Sequence, residues 1–384
     1  MLPFVSALPQ LDLLTERVPM IDEKSPISES VPTIPPQKVT TMRTTKFEET
    51  VAGYLFLAPA LIIFVVFLVI PLVMAVYISF TDWNGITPLR DDDAFETIGD
   101  DNYQQLLTQE GRRQTRFFTA VKNTTYYVIG VVPTQTLIAL ILAVIVNQKW
   151  LKARGTFRTI AYLPSITSSV VISIVFLWLF SRGGLVNAFI ELLYPSYGDK
   201  AINWTDDSTG VFHWVLKQFG VTRADVGDWA SEKHYGLRTW DWISGPSVTM
   251  LMIMILNTWT TIGTLMVIFL AALQNIPSYV YEAAAIDGAN IWQIFRKVTV
   301  PLLRPTTFFV ITLGLIGCFQ VFDQVYIIGG GDATLTVAVL VYRNAFGTGS
   351  NMGLATATAM ILFVIIFIFT VLQRRFFGGE RANW

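Results

Sequence analysis

The sequence predicts an all-α integral membrane protein with about six transmembrane helices. Three observations predict it. Only 14% of the 384 residues are charged and 53% are hydrophobic, whereas soluble domains carry about 25% charged residues. Mean hydropathy is +0.51. Stretches free of Asp, Glu, Lys and Arg recur along the chain, and each can supply the roughly 20 apolar residues that cross the hydrocarbon core. The alternating segments of about 10 residues that build a membrane β-barrel do not occur. A net charge of −1 argues against a nucleic-acid partner, which requires a clustered basic surface. One cysteine and two histidines leave no intramolecular disulfide and predict no metal centre.

The spans follow from the charge-free runs. The first is expected over 51–80, the second over 123–146 and the third over 159–180. The fourth is expected over 247–273, the fifth over 306–328 and the sixth over 353–372. Pro59, Pro71, Pro133 and Pro164 fall in or at the ends of these runs, where neighbouring groups can satisfy the freed backbone. Lys and Arg favour the cytoplasmic loops. Residues 147–158 hold four basic residues, whereas 329–351 hold one, Arg343. Both termini are therefore expected inside, in a multi-pass protein contacting membrane lipid. Residues 1–50 lack the apolar core of a signal peptide and read as a solvated, disordered tail. Residues 51–377 form the membrane domain, with an extracytoplasmic loop over 181–246 and a cytoplasmic loop over 274–305.

That cytoplasmic loop reads SYVYEAAAIDGANIWQIFRKVTVPLLRP from Ser278. Ser278 can cap a helix, Ala283 to Ala285 propagate it, and Gly288 can take the left-handed conformation that ends it. Ile291, Ile294, Phe295 and Val298 then share one face of a second short helix, which Pro301 and Pro305 close. A surface loop this apolar should be covered by another molecule.

At these residues the chain resembles the permease subunits of bacterial ABC importers, the inner-membrane components of binding-protein-dependent transport. Glu282, Ala283, Ala284, Gly288, Val298, Val300 and Pro301 stand at the spacing of their EAA motif. The stretch FQVFDQVYIIGGGD followed by VYRNAF is similar to the carbohydrate, MalF-type branch. Asp332 departs from the proline common there. The resemblance implies a type I importer permease fold in the bacterial cytoplasmic membrane. It implies a docking site for a separate ATPase at Glu282, Ala283, Ala284, Asp287, Gly288 and Pro301. It further implies a second, MalG-like permease, a dimer of ABC ATPase subunits and an extracytoplasmic sugar-binding protein. The sequence contains no phosphate loop, so ATP and Mg are expected on the partner ATPase, with no cofactor and no catalytic residue here.

Polar groups at membrane depth are costly unless they face a cavity or partner. Asn257 and Thr261 of the fourth span, and Phe319, Gln320, Asp323 and Tyr326 of the fifth, are expected to line the substrate path. Amides and carboxylates bond sugar hydroxyls and aromatic rings cover sugar faces. No Lys or Arg lies within a span, so a neutral sugar or oligosaccharide is expected. A non-sugar solute carried by the same type of importer remains an alternative, as does an ion-coupled secondary transporter built around Asp323.

Overall fold

The computed structural model describes residues 42–88, 95–148, 150–195 and 201–377. The expected tail over 1–41, Lys149 and the last seven residues lie outside them. The chain divides into two compact units, Met1–Ile63 and Phe64–Trp384.

The described part of the first unit belongs to α1 (Met42–Phe64), whose last residue is the first of the second unit. It starts before the expected 51, so residues 42–50, expected as disordered tail, are helical. In the second unit a five-residue π segment, Val65–Val69, leads into α2 (Ile70–Ile78). Pro71 explains the bulge, because a proline cannot donate to the carbonyl four residues back and its ring crowds that carbonyl. The same pairing recurs at Phe295–Thr299 ahead of Pro301.

α3 (Asp101–Leu107) and α4 (Arg112–Asn147) follow. α4 begins 11 residues before the expected 123, so its first three turns, read as loop, are helix. At 1.5 Å per residue it is about 54 Å long and extends well past a bilayer core.

The expected third span is two helices, α5 (Arg154–Ile166) and α6 (Ser169–Leu179), bent by 98°. Pro164 removes one donor, and the chain is extended at Thr167 and Ser168. Carbonyls freed near the break receive the hydroxyls of Ser165 (to Tyr162 O, 2.6 Å) and Thr167 (to Leu163 O, 3.2 Å). These local bonds make the break tolerable at membrane depth.

The segment between α6 and α10 carries α7 (Leu185–Leu193), α8 (Val211–Gln218), a hairpin of β1 (Lys233–His234) and β2 (Leu237–Arg238), and α9 (Thr239–Trp242). α10 (Val248–Gln274) is capped by Ser247, whose hydroxyl accepts from Met250 N at 3.1 Å. α11 (Ser278–Ile286), α12 (Ile291–Ile294) and α13 (Val300–Leu302) form the loop after it.

The expected fifth span is also broken, into α14 (Arg304–Phe319) and α15 (Asp323–Ile328). Thr336 Oγ1 donates to Val321 O at 3.1 Å and so satisfies a carbonyl within the break. α16 (Val337–Phe346) occupies the region read as an external loop, and α17 (Met352–Phe377) is the last span.

α4 and α10 form the central seam of the second unit. Tyr127, Val131, Met250, Ile253 and Leu256 are buried along one stretch of it, and Ala139, Ala143, Met266 and Phe269 along another. Gly263 lets α10 meet α5: a Cβ there would stand 2.2 Å from Ala161 O. Asn123 Nδ2 donates to Asp332 O and Leu335 O, both at 3.1 Å, tying α4 to the segment before α16.

Candidate functional site

Two sites emerge, a cavity at membrane depth and the exposed loop between α10 and α14.

The cavity has a volume of about 530 Å³ and is walled by α4, α5, the start of α6, α10, α14 and the start of α15. Asn257 is the tenth residue of α10, about 15 Å along it, and Gln135 lies about 18 Å from the opposite, C-terminal end of α4. The two amides thus lie well inside the lengths of both helices. Thr261 Oγ1 lies 2.7 Å from Gln135 Oε1 and 2.8 Å from Asn257 O, so the hydroxyl joins α4 to α10. Asn257 is largely buried and its Nδ2 lies 3.9 Å from Cys318 Sγ. Gly314 makes room for the glutamine: a Cβ there would stand 2.6 Å from Gln135 Nε2.

Both broken spans open onto this cavity. Ser169 Oγ, at the start of α6, donates to Asp323 Oδ2, at the start of α15, at 2.7 Å. Thr167 and Ser169 from one break and Gln320, Val321, Phe322 and Asp323 from the other line the wall. Non-helical backbone at this depth is tolerated where it faces a cavity. Among the described lining residues Asp323 is the one charged group, and no Lys or Arg is present.

Of the six residues expected on the substrate path, the cavity gathers Asn257, Thr261, Gln320 and Asp323. Phe319 and Tyr326 lie elsewhere. Phe319 is 2% exposed and meets Phe369 of α17 at a centroid distance of 5.2 Å. Tyr326 stands against Phe322 and Tyr342, outside the lining. The expectation placed residues 319, 323 and 326 on one face of a continuous helix, whereas the helix is interrupted at 320–322. Gln135 and Ser169 were missed. An amide deep in the apolar run of the second span was the available signal for Gln135; Ser169 had none, because its role depends on the break.

The loop is organised by its turn. Ala289 N donates to Ala284 O at 3.0 Å and Gly288 N to Ala285 O at 3.1 Å. This crossed pair is a Schellman ending, with Gly288 at φ +77° in the left-handed position. Asp287 is the exposed residue that closes α11. Ser278 is the first helical residue and makes no capping bond, because Pro277 occupies the position before it. The cap falls one helix later: Asn290 and Gln293 bond each other's backbone N–H reciprocally at 2.8 Å. Glu282 and Ala283 are exposed, Ala284 is half-buried, and Pro301 sits half-buried in α13. Around them Tyr279, Ile286, Ile291 and Trp292 are 65–88% exposed. Ile294, Phe295 and Val298 are only half-buried.

Comparison with known proteins gives this arrangement a family. Residues 135–378 match the model of the binding-protein-dependent transport system inner membrane component, a segment that runs from Gln135 through the loop to the end of α17. The probable ABC transporter permease protein YesP of Bacillus subtilis (strain 168) is 32% identical over 307 residues, covering 78% of this chain and 82% of that protein. The lactose transport system permease protein LacF of Rhizobium radiobacter is 30% identical, covering 77% of this chain and 84% of its own. The arabinooligosaccharides transport system permease protein AraP of Halalkalibacterium halodurans is 30% identical, covering 80% and 83%. In fold the chain is similar to a chain of a bacterial ABC transporter involved in the import of the acidic polysaccharide alginate. The TM-score is 0.61 with 20% identity, over 87% of this chain and 99% of that one. Among the described residues, five helices long and apolar enough to cross a membrane, six if the bent pair counts as one span, agree with a multi-pass protein of the inner membrane. The chain belongs to the family of inner membrane components of binding-protein-dependent transport systems.

Proposed function

We propose that this protein is a permease subunit of a carbohydrate ABC importer. It forms part of the path for a neutral sugar or oligosaccharide delivered by an extracytoplasmic binding protein. The relatives named for lactose and arabinooligosaccharides support the sugar class. The lining of the cavity supports the neutral character. Its polar groups are amides and hydroxyls, with one carboxylate and no described cation. An anionic sugar would meet Asp323 without the cationic partner that a buried carboxylate requires.

The observation that carries the ABC reading is the exposed loop. Four large apolar side chains are exposed on the loop that holds Glu282, on either side of a turn fixed by Gly288, in a protein otherwise built to bury such groups in lipid. A surface of this kind calls for a protein cover. We assign that cover to a separate ATPase, one copy for this loop and a second for the corresponding loop of a partner permease. ATP and Mg belong to those subunits. Glu282, Asp287, the small Ala283 and Ala284, Gly288 and Pro301 form the coupling surface, and Asn257, Thr261, Gln320 and Asp323 contact sugar.

The test is to co-express the chain with its neighbouring reading frames and reconstitute the assembly in proteoliposomes. ATP-driven uptake of an uncharged oligosaccharide, lost when the ATPase is omitted, is the expected result. A chain that transports alone along an ion gradient overturns the reading.

A further inference from the structure

We propose that Phe346, Tyr342, Tyr326 and Phe322 form an aromatic track that passes a saccharide from the extracytoplasmic mouth to the membrane-depth cavity. This deepens the carbohydrate reading and rests on it.

The four rings form one chain of contacts. Phe322 and Tyr326 are stacked at 5.2 Å and 16°, Tyr326 meets Tyr342 edge-on at 5.0 Å, and Tyr342 meets Phe346 at 5.2 Å. Phe322 also reaches Tyr342 directly at 5.2 Å. The inner end is fixed, since Phe322 lines the cavity beside Asp323 and Gln324. The outer end lies in the last turn of α16. There Arg343 and Asn344, which neighbour Tyr342 and Phe346 in sequence, line a second cavity of about 470 Å³ together with Arg112, Arg113 and Arg116. The track therefore meets the cavity wall at Phe322 and ends at the exposed Phe346, its members coming from α15 and the residue before it and from α16.

Tyr326 is 49% exposed and Phe346 69%, while Phe322 and Tyr342 are half-buried, so each ring leaves part of a face accessible. Two of the rings are tyrosines, which present an apolar face with a polar tip and so suit a wet passage better than leucine or phenylalanine would. The axial C–H groups of a pyranose form an apolar face that lies on such a ring, while its hydroxyls stay solvated at the rim. Because any pyranose has that face, the track favours chain length and ring stacking over the identity of the sugar. Selection by hydrogen bonds is left to Gln135, Asn257 and Thr261 further in.

The experiment uses the assembled importer in proteoliposomes with malto-, galacto- and arabino-oligosaccharides as probes, each as disaccharide and tetrasaccharide. Tyr342→Leu and Tyr326→Leu keep apolar bulk and remove the aromatic face; Tyr342→Phe and Tyr326→Phe keep the face. For whichever probe the parent imports, each Leu variant should lose about two- to tenfold in uptake of the tetrasaccharide below saturation. The disaccharide should lose less, the Phe variants should stay near the parent, and binding-protein-stimulated ATP hydrolysis without sugar should be unchanged. Equal uptake by Leu variants and parent overturns the track. So does a Leu variant that falls apart from the partner permease on purification, which would make the cluster a subunit interface. So does a loss shared equally by Leu and Phe variants. A parent that imports none of the probes while ATP hydrolysis remains coupled to a non-sugar solute overturns the carbohydrate reading itself, a result distinct from all of these.

Discussion

The loop between α10 and α14 and the cavity beside α10 are built on opposite plans. The loop takes its shape from neighbours in sequence. A helix, a left-handed glycine, a reciprocal cap and a proline succeed each other within 278–303, and the apolar side chains point outward. The cavity takes its shape from distance. Gln135, Ser169, Asn257 and Asp323 come from four helices, and each polar group there is anchored by another helix or by a break in its own. The difference teaches where each site is fragile. A single residue can ruin the loop without disturbing the membrane domain. The cavity responds to packing between helices and loses affinity by degrees.

The largest effect is expected at Gly288. A β-branched residue is disfavoured at φ +77° by about 1–2 kcal/mol or more, and the Schellman bonds it breaks set the angle between α11 and α12. No neighbouring atom lies within 4 Å of a Cβ at this position, so the harm comes from the backbone alone. Gly288→Val should abolish ATP-driven uptake and co-purification of the ATPase, while thermal stability of the permease in detergent stays near the parent value. Retained uptake would mean that the turn is not the coupling element, and the contrast between the two regions would break.

Gly263→Ala is the converse. Its methyl would stand 2.2 Å from Ala161 O and 2.8 Å from Tyr162 Cα, both backbone atoms, so α5 must shift. Overpacking of this kind costs about 1–3 kcal/mol and should lower the melting midpoint by several degrees. Because α5 carries Pro164 and Ser165 of the cavity wall, uptake should fall while the ATPase still binds. Detergent melting curves and pull-down of the ATPase read the two effects separately.

Asn257→Ala should weaken transport up to about tenfold without loss of assembly, as one hydrogen bond to an uncharged hydroxyl contributes roughly 0.5–1.5 kcal/mol. At Asp323 the comparison is between Asn and Leu. Asn keeps an acceptor for Ser169 and for a sugar hydroxyl, so Asp323→Asn should do less harm than Asp323→Leu in uptake titrations. If both abolish transport, and a protonophore stops the parent at constant ATP, Asp323 carries a proton and the amide-lined cavity serves a different chemistry.

The same contrast explains what the sequence made legible. The charge-free run 243–281 contains α10, and the expected 247–273 falls within a residue of it at each end, because Ser247 caps one end and polar residues follow the other. The motif around Glu282 and Gly288 is contiguous, so its residue spacing alone reveals it. The breaks at 167–168 and 320–322 were not legible. Ser, Thr and Gln at these points are compatible with a membrane helix, and only Thr336, far along the chain, satisfies Val321. Phe319 and Tyr326 do not line the cavity with the other four. The first turns of α4 were missed because Arg112, Arg113 and Arg116 end an apolar run without ending a helix.

The smallest effect is expected in the segment between α6 and α10, which serves as a control for both regions. His213 on α8 stacks on Trp240 of α9 at 4.3 Å and 12°. Burial lowers its pKa below the ordinary value of 6.5, and the backbone of Trp240 and the charge of Asp241 oppose this only in part. The folded segment therefore holds the neutral imidazole. Its contribution to stability is complete above pH 6.5 and is lost as the pH falls through the lowered folded value, since the unfolded chain binds the proton first. The ring is far from fully buried, so the loss should be no more than about 1–2 °C in midpoint. Tryptophan fluorescence between pH 7.5 and 5 should report it, and His213→Phe, which keeps the stack and removes the titration, should flatten it. The transport defects of Gly288→Val and Asn257→Ala should be indifferent to this interval. A pH dependence of Asn257→Ala that follows His213 would link the segment between α6 and α10 to the cavity and make the two regions parts of one mechanism.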